Sequence, residues 1–292
     1  MTTPRRTIVG VTPAPHMLEG EGFVVRRPVP ARALEAIGPF IMLDHMGPVL
    51  LAPGEAKGAP THPHAGMETL TYLLEGRGHH LDSLGNFSVM GAGDVQWMRA
   101  GSGIVHDEGP DAEARRDGGR VHALQLWIDL PRPHRQDPPA YRQFGAAEIP
   151  VLAHAEGVTL RLIAGRFGGV AGPVETYADP FLLHVELVSG ASTGIDPEVA
   201  EIAAYVLRGE GRIDDRMVGE GDFVRFAGTG GLDIAAGGDG LDLILVGGPP
   251  LAEPIVRHGP FVMNTPEELQ AAVDDYRAGR FGTIRRPALI DA

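Results

Sequence analysis

The 292-residue sequence contains no cysteine, and this absence removes several classes of function at once. Without thiols the chain has no disulfide framework, no cysteine nucleophile and no cysteine-based redox switch. Its chemistry has to come from other side chains.

Long apolar runs and excess positive charge are also missing. No run of about 18 apolar residues occurs, and the N-terminus leads into no apolar signal core, so we expect a soluble, cytoplasmic protein without a membrane segment. The 38 acidic residues outnumber the 25 Lys and Arg residues. The resulting net charge of −13 disfavours direct binding to the phosphates of nucleic acid, but it does not exclude a protein partner.

Glycine and proline, by contrast, are abundant. The 41 Gly and 25 Pro residues favour many turns and short strands over long helices. With 43% hydrophobic residues the chain can bury a sizeable core, and its length allows one large domain or two ordinary ones.

Two short pairs of polar residues bracket a glycine-punctuated stretch: His62 with His64, and His106 with Glu108. In an extended strand, side chains two residues apart point to the same face with Cα atoms about 6–7 Å apart, so each pair can converge on one ion. Three imidazole nitrogens and one carboxylate oxygen suit a first-row metal and leave coordination positions open. One His-x-His pair alone is weak support for a metal, and the second pair strengthens it.

The sequence between the two pairs predicts alternating strands and turns. Residues 67–74 are strand-prone, turn signals lie at residues 75–78, 83–86 and 91–94, and residues 95–98 again favour a strand. A small antiparallel barrel would bring the two pairs together.

These motifs resemble those of the cupin superfamily and, more closely, those of the pirin family. The matching stretches cover nearly the whole chain and comprise residues 62–69, 72–76, 82–86, 93–98, 100–108, 124–127, 259–265 and 279–282. The resemblance implies an all-β bicupin, in which two antiparallel jelly-roll β-barrels pack together and a short C-terminal helix follows. The sequence departs from the family at Ala65-Gly66-Met67, where pirins commonly have Arg-Gly-Phe, a change that leaves the expected ligands intact.

The resemblance also implies the site. It favours His62, His64, His106 and Glu108 as ligands of one divalent metal ion, with Fe(II) first and Mn, Co, Ni, Cu or Zn as alternatives. Glu68 is a competing carboxylate, because four residues separate it from His64 and an unbroken strand would place both on one face. Alternatively, Glu68 orients an imidazole N–H without binding the metal.

A fainter copy of the first half follows a proline-rich boundary. Residues 205–211 parallel residues 72–78, and residues 221–223 parallel residues 93–95, which predicts two similar barrels. We therefore expect a metal-binding barrel in residues 1–135.

The second barrel, together with the C-terminal helix, is expected in residues 136–292. At the positions of the four candidate ligands the repeat has apolar side chains and a proline, namely Ile195, Pro197, Ile234 and Ala236. The second barrel is therefore expected to hold no metal.

Several other polar residues have roles that the sequence leaves open. His79 and His80 are adjacent, so both cannot face one site, and a solvated hairpin is expected for at least one of them. Asp44 and His45 end a buried strand, where they either cap it or line the metal pocket. His122 alternates with apolar residues and is either a core histidine or a donor to the site.

The remaining candidates have simpler expected roles. Trp97 and Trp127 are predicted to lie in the core or the pocket wall, and His184, in an apolar run, is predicted to be structural. The charged residues 111–119 are expected to form a surface loop, with a lid as the alternative.

The clearest helix signal lies near the C-terminus. Thr265 is a good N-cap, Pro266 suits the first helical position, and Glu268 completes a capping box. Apolar residues then recur at helical spacing, and Gly279 is expected to end the helix. We expect the apolar face of this helix to pack on a barrel.

The resemblance implies two kinds of function. The first is a quercetin 2,3-dioxygenase-type enzyme acting on a flavonol and dioxygen, with Glu108 as the base that takes the flavonol proton and Glu68 as the fallback. The alternative is a non-enzymatic, redox-sensing binding module that regulates a transcription factor or a metabolic enzyme by protein–protein contact. A third, weaker hypothesis is another cupin activity, such as a metal-dependent isomerase.

Overall fold

Antiparallel strands form most of this chain, as its turn-rich composition predicts. The structure is a computed structural model that describes residues 4–32 and 34–285. Two of the predicted turn signals contain glycines with positive φ, Gly76 at 105° and Gly93 at 89°, a backbone conformation that other residues rarely adopt. The predicted all-β class is confirmed.

The described elements are many short strands and few helices. The strands of the N-terminal half are β1 (Thr7–Pro13), β2 (His16–Glu19), β3 (Phe23–Val29), β4 (Phe40–Leu51), β5 (Ala59–His64), β6 (Met67–Glu75), β7 (Gly78–Asp82), β8 (Phe87–Met90), β9 (Val95–Arg99), β10 (Ile104–Gly109), β11 (Gly119–Asp129) and β12 (Ala140–Phe144). Those of the C-terminal half are β13 (Val151–Ala155), β14 (Val158–Ala164), β15 (Arg166–Phe167), β16 (Val170–Ala171), β17 (Phe181–Leu187), β18 (Ser192–Ile195), β19 (Glu201–Ile213), β20 (Arg216–Gly219), β21 (Asp222–Ala227), β22 (Leu232–Gly248), β23 (Val256–His258) and β24 (Phe261–Met263). The helical elements are α1 (Ala112–Asp117), α2 (Pro266–Arg277) and 3-10 segments at Arg132–His134 and Ala146–Glu148.

The chain forms two compact units, each assembled from three separate segments. The first, which we call the histidine unit, contains His16–Arg26, Met42–Ala146 and Ala252–Ala292. The second, which we call the apolar unit, contains Met1–Pro15, Arg27–Ile41 and Ala147–Leu251. The segments interleave because strands far apart in sequence pair, as β1 does with β21. A single barrel boundary between residues 135 and 136 stays a prediction.

The histidine unit contains a four-stranded and a seven-stranded sheet. Their strand orders are β5-β10-β7-β8 and β12-β9-β6-β11-β4-β3-β2. Side chains alternate between the two faces of a strand, so Leu124, Leu126 and Ile128 of β11 share one fully buried face. Gln125 and Trp127 therefore lie on the other face, which β11 shares with the candidate site.

The apolar unit is organised around a nine-stranded sheet, with β22 paired to β19 and β17 near its centre. Its core cluster is built from aliphatic and aromatic side chains, and Ile195 and Ile234 are buried members of it. These two residues stand at the repeat positions of His62 and His106. Each such side chain stabilises the fold by about 1.5–3 kcal/mol when fully buried.

Helix α2 begins as the sequence predicts. The Thr265 side chain accepts a hydrogen bond from the Glu268 backbone N–H at 3.2 Å, and Glu268 Oε2 accepts one from the Thr265 N–H at 3.0 Å. Its predicted grouping with the second barrel, in residues 136–292, stays a prediction. The helix belongs to the histidine unit, where its buried Ala272 packs in a cluster with Ala65 and Val105.

The charged residues 111–119 also differ from expectation, since they contain helix α1 rather than a plain loop. Asp111 is the N-cap, and its Oδ1 accepts a hydrogen bond from the Ala114 N–H at 2.8 Å. Within the described residues, no helix has the length and apolar character needed to cross a membrane.

Candidate metal centre

Strand pairing brings three histidines to one face of the four-stranded sheet. His62 and His64 lie on β5, and His106 lies on the neighbouring strand β10, directly opposite His62. Ile104 pairs in the same way with His64. Because paired residues of antiparallel strands share a face, the two-residue spacing of β5 and the register of β10 together converge three imidazole rings.

The ring nitrogens of these histidines lie close to one another. The Nε2 atom of His62 is 3.1 Å from Nε2 of His64 and 2.9 Å from Nε2 of His106. One donor atom from each of the three residues lies within 4.8 Å of the other two. His64 and His106 are buried, and His62 is half-buried. The three histidines form a group that could hold a metal ion.

Hydrogen bonds made by the Nδ1 atoms of His62 and His64 fix the protonation of their converging Nε2 atoms. His62 Nδ1 donates to the Pro60 carbonyl oxygen at 2.9 Å, and His64 Nδ1 donates to the Pro260 carbonyl oxygen at 3.2 Å. A carbonyl oxygen only accepts, so each Nδ1 carries the proton and each neutral Nε2 keeps its lone pair. Lone pairs that face one another about 3 Å apart fit a shared cation, so the residues present suit a metal ion.

Burial also keeps two of the rings neutral. Desolvation, with a smaller contribution from His62, lowers the pKa of His64 to about 3. Desolvation, followed by the neighbouring histidines, holds the pKa of His106 well below its ordinary value. Neutral imidazole is the form that binds a metal, so near pH 7 these ligands do not have to lose a proton first.

Glu108 lies next to the three-histidine group without belonging to it. It is half-buried on β10, two residues after His106, and its Oε1 accepts a hydrogen bond from Gln125 Nε2. On the other neighbouring strand it pairs with His80. The predicted role of Glu108 as the fourth ligand stays a prediction.

Glu68 faces away from the three histidines, so the expectation that it shares a face with His64 is wrong. On β6, Thr69 pairs with Trp127, whose ring lies 5.1 Å from that of His64, whereas Glu68 pairs with Ile128 on the opposite face. The alternation breaks because β5 ends at His64 and β6 begins at Met67, with Gly66 between them at φ 76°.

The prediction that at least one of His79 and His80 lies in a solvated hairpin is wrong. His79 and His80 are both buried, on opposite faces of β7. His80 Nε2 donates to Asp82 Oδ2 at 3.0 Å, and its ring stacks on Tyr141 with centroids 4.1 Å apart and lies 5.5 Å from that of His106. The two-residue spacing of His80 and Asp82 could have indicated this pair, but only the pairing of β7 with β10 places it beside the site.

Asp82 is a fixed anion beside this centre. Burial alone would raise its pKa, but the hydrogen bonds from His80 and from Asn86 together hold the pKa below its ordinary value. It also accepts a hydrogen bond from the Leu84 N–H at 2.9 Å. The carboxylate therefore holds His80 in one orientation at the edge of the three-histidine group.

The other candidate histidines have partners outside this group. His79 Nε2 donates to Asp107 Oδ1 at 3.0 Å. His45 and His122 are buried and share a hydrogen bond between their Nε2 atoms at 2.8 Å, which favours the core-histidine alternative for His122. In the apolar unit, His184 Nε2 lies 2.6 Å from Asp242 Oδ1, in keeping with a structural role.

Comparison with known protein families agrees with this arrangement. The family model described as Pirin matches residues 22–128, and the model described as Pirin C-terminal cupin domain matches residues 182–282. The first match contains the three clustered histidines, and the second contains most of the apolar unit's central strands. Both cupin domains of the predicted fold are thereby confirmed.

Individual relatives extend over nearly the whole chain. A Pseudomonas aeruginosa protein named "Putative quercetin 2,3-dioxygenase" is 37% identical over 90% of this chain and 93% of its own length. The crystal structure of a quercetin 2,3-dioxygenase from Acinetobacter baumannii has a TM-score of 0.90 at 30% identity and covers 97% of this chain and 100% of that one. The Escherichia coli pirin YhhW, solved in complex with nickel(II), shares the fold at 23% identity, with a TM-score of 0.63 over 82% of this chain and 96% of that one.

Proposed function

The chain belongs to the pirin family, and from that premise we propose that it is a metal-dependent dioxygenase of the quercetin 2,3-dioxygenase type. The observation that carries this proposal is the convergence of three histidines, with the Nε2 atom of His62 about 3 Å from those of His64 and His106, which suits a metal ion in this barrel. Support for the reaction comes from the names of two similar proteins, one 37% and the other 30% identical to this chain. The proposed substrates are a flavonol and dioxygen.

We assign His62, His64, His106 and Glu108 as the ligands of one divalent ion, with Fe(II) first and Mn, Co, Ni, Cu or Zn as alternatives. When bound, the ion would supply a Lewis-acid site that orients the flavonol oxygen for reaction with dioxygen. The neutral imidazoles and the single carboxylate leave the loaded centre with net positive charge, which favours an anionic flavonolate over a neutral flavonol.

The proton of the flavonol hydroxyl goes to Glu108 in this proposal. Gln125 Nε2 donates to Glu108 Oε1 and so holds the carboxylate in place, and we assign Oε2 to take the proton, a role that requires a labile bond between Glu108 and the metal. Trp127 packs edge-on against His64 and forms part of the wall beside the substrate. The buried His64 ring and the partly buried Trp127 ring limit the access of bulk water on this side of the site.

The decisive test is dioxygen uptake by the metal-loaded protein with quercetin and related flavonols. Glu108→Gln keeps the size and an oxygen donor but removes the basicity, so the turnover rate is expected to fall by about 10²–10⁴ while some metal stays bound. Glu68→Gln is the matched control, since Glu68 is buried on the opposite face of the sheet, and it is expected to cost less.

Two results would contradict the proposal. Equal losses in the two variants would remove Glu108 from its assigned role as the base. No dioxygen uptake by the loaded wild type would show that the enzyme assignment is wrong for flavonols. The alternative function, a redox-sensing binding module, would then be preferred. That hypothesis predicts a protein partner whose affinity changes with the redox state of the iron. The cytoplasmic location stays a prediction under either function.

A further inference from the structure

A backbone carbonyl from the far end of the chain holds one of the three clustered histidines. Pro260, whose oxygen accepts the Nδ1–H of His64 at 3.2 Å, is 196 residues away in sequence. It belongs to residues 252–285, which we call the C-terminal arm and which contain β23, β24 and α2. His64 is only 2% exposed, and the hydrogen bond itself is partly buried.

The backbone around that contact is fixed on both sides. The Val262 N–H donates to the Ala65 carbonyl oxygen at 3.0 Å, next to His64, and Ala65 and Phe261 form a β-bridge. At Gly66 any Cβ would lie 1.9 Å from the Val262 carbonyl oxygen, so only glycine permits this approach. The arm therefore continues the hydrogen bonding of β5 beyond its last residue.

A buried arginine locks this junction. The guanidinium of Arg135, which is 3% exposed, donates to the carbonyl oxygens of Gly66 and Val262 and to the side chains of Asn264 and Asp129. It thus joins the turn after His64 to the arm on one side and to the end of β11 on the other. A buried charge with this many acceptors holds them in one geometry.

The arm also contacts the strand that carries His106. Phe281 packs with Val105 in the same apolar cluster, and Ser83 Oγ donates to the Phe281 carbonyl oxygen at 2.6 Å. The same Oγ accepts the Val105 N–H at 3.2 Å, one residue before His106. Both ligand-bearing strands are therefore held by one C-terminal element.

We propose that the C-terminal arm is a positioning element for the metal centre, in which the Pro260 carbonyl fixes the tautomer and ring orientation of His64 and so sets the affinity for divalent metal. A metal-binding histidine that donates its other N–H to a fixed acceptor keeps its lone pair aimed at the ion. This inference rests on the metal-binding part of the proposed function and is independent of the dioxygenase reaction.

The test measures the affinity of the full chain for Co(II) and Zn(II) by competition with a chelator. Arg135→Gln and Phe281→Ala loosen the arm at its polar and apolar contacts, respectively. Each is expected to weaken metal binding by about 10–100-fold while one ion per chain still binds at saturating metal. Arg6→Gln is the matched control, because Arg6 is an equally buried arginine in the apolar unit and its loss is expected to leave the metal affinity within twofold of wild type.

A second readout reports the arm directly. By linkage, an arm that raises metal affinity must itself be stabilised by metal, so loading with Zn(II) is expected to slow hydrogen exchange of the Val262 N–H more than that of Leu243 in β22. Nitrogen-15 NMR of the metal-free chain is expected to show a proton on Nδ1 of His64. Metal affinities within twofold of wild type in both arm variants would overturn the inference alone, whereas a wild type that binds no divalent metal would overturn the proposed function with it.

Discussion

Among single residues, the three clustered histidines contrast most clearly with His184, which is as buried as His64 but pairs with Asp242 in the other unit. His62→Ala and His106→Ala each remove one of three converging Nε2 donors, so each is expected to abolish stoichiometric metal binding. His184→Ala is expected to keep one ion per chain. Elemental analysis of the purified proteins gives the stoichiometry, and full occupancy in His62→Ala would rule out this centre.

Two neighbouring arginines show how burial changes the contribution of a charged side chain to stability. The Arg6 guanidinium is buried and donates to four carbonyl oxygens, those of Gly228, Gly230, Pro197 and Val199, at 2.6–3.1 Å. Burial lowers the pKa of Arg6, while Asp196 counteracts part of this effect. Arg5, next to it, is exposed and pairs with Asp214 and Asp233.

Replacement of these arginines is expected to have unequal effects on stability. Arg6→Met leaves four carbonyl oxygens without their donor, so the free energy of unfolding is expected to fall by about 2–4 kcal/mol. Arg5→Met breaks ion pairs that water already screens, so little change is expected. Urea denaturation of the two variants and wild type makes the comparison, and equal losses would contradict it.

At the scale of elements, helix α2 depends on its first turn. It has 12 residues, and its buried contact surface is small, with Ala272 buried and Leu269 and Val273 partly buried against the apolar cluster. Thr265→Ala removes the acceptor for the Glu268 N–H and is expected to lower the free energy of unfolding by about 1 kcal/mol, whereas Thr265→Ser keeps an oxygen there and is expected to lose much less. Thermal denaturation tests this, and a serine variant as unstable as the alanine variant would show that the methyl group matters rather than the cap.

Local rules predicted the elements whose signals lie within a few residues of one another. The capping box of α2, the turns at Gly76 and Gly93, and the shared face of His62 and His64 all follow from such short spacings. The features that these rules missed depend on interruptions of a strand or on pairing between strands far apart in sequence. Glu68 lies on the face opposite to the predicted one because the turn at Gly66 interrupts the strand. This turn requires glycine because the Val262 carbonyl oxygen, near the other end of the chain, leaves no space for a side chain.

Helix α1 illustrates a weaker local signal. Its N-cap, Asp111, is recognisable in sequence, but Ala112–Asp117 spans only six residues without a buried side chain. With no apolar periodicity, nothing in the sequence favoured a helix over a charged loop. The place of His80 beside His106 was missed for the opposite reason, because it comes from the pairing of β7 with β10 and from no property of β7 alone.

At the scale of the whole molecule, the two units have different relations to metal. The core of the apolar unit is made of aliphatic and aromatic side chains, including Ile195 and Ile234, so its stability comes from burial. The histidine unit also has sheets, apolar clusters and buried hydrogen bonds that do not involve the three histidines. Metal should therefore add to a fold that already exists.

Chelation is accordingly expected to lower the melting temperature modestly and reversibly, by an amount that depends on metal concentration and affinity. Calorimetry with and without a chelator, followed by reloading, measures the shift, and His62→Ala is expected to show no shift on chelation. Unfolding of the whole chain when metal is removed would mean that the ion is a structural support, which would undercut a catalytic role.

The long separation between His64 and Pro260 sets an order of events during synthesis. A ribosome that adds about 5–20 residues each second needs about 10–40 s to go from one to the other. Once residue 106 has been added, the nascent chain carries all three histidines for the rest of that interval, yet His64 still lacks the carbonyl that fixes its tautomer. The centre is thus complete only after the C-terminal arm has been synthesised. A metal ion that binds earlier meets a site that lacks the Pro260 carbonyl.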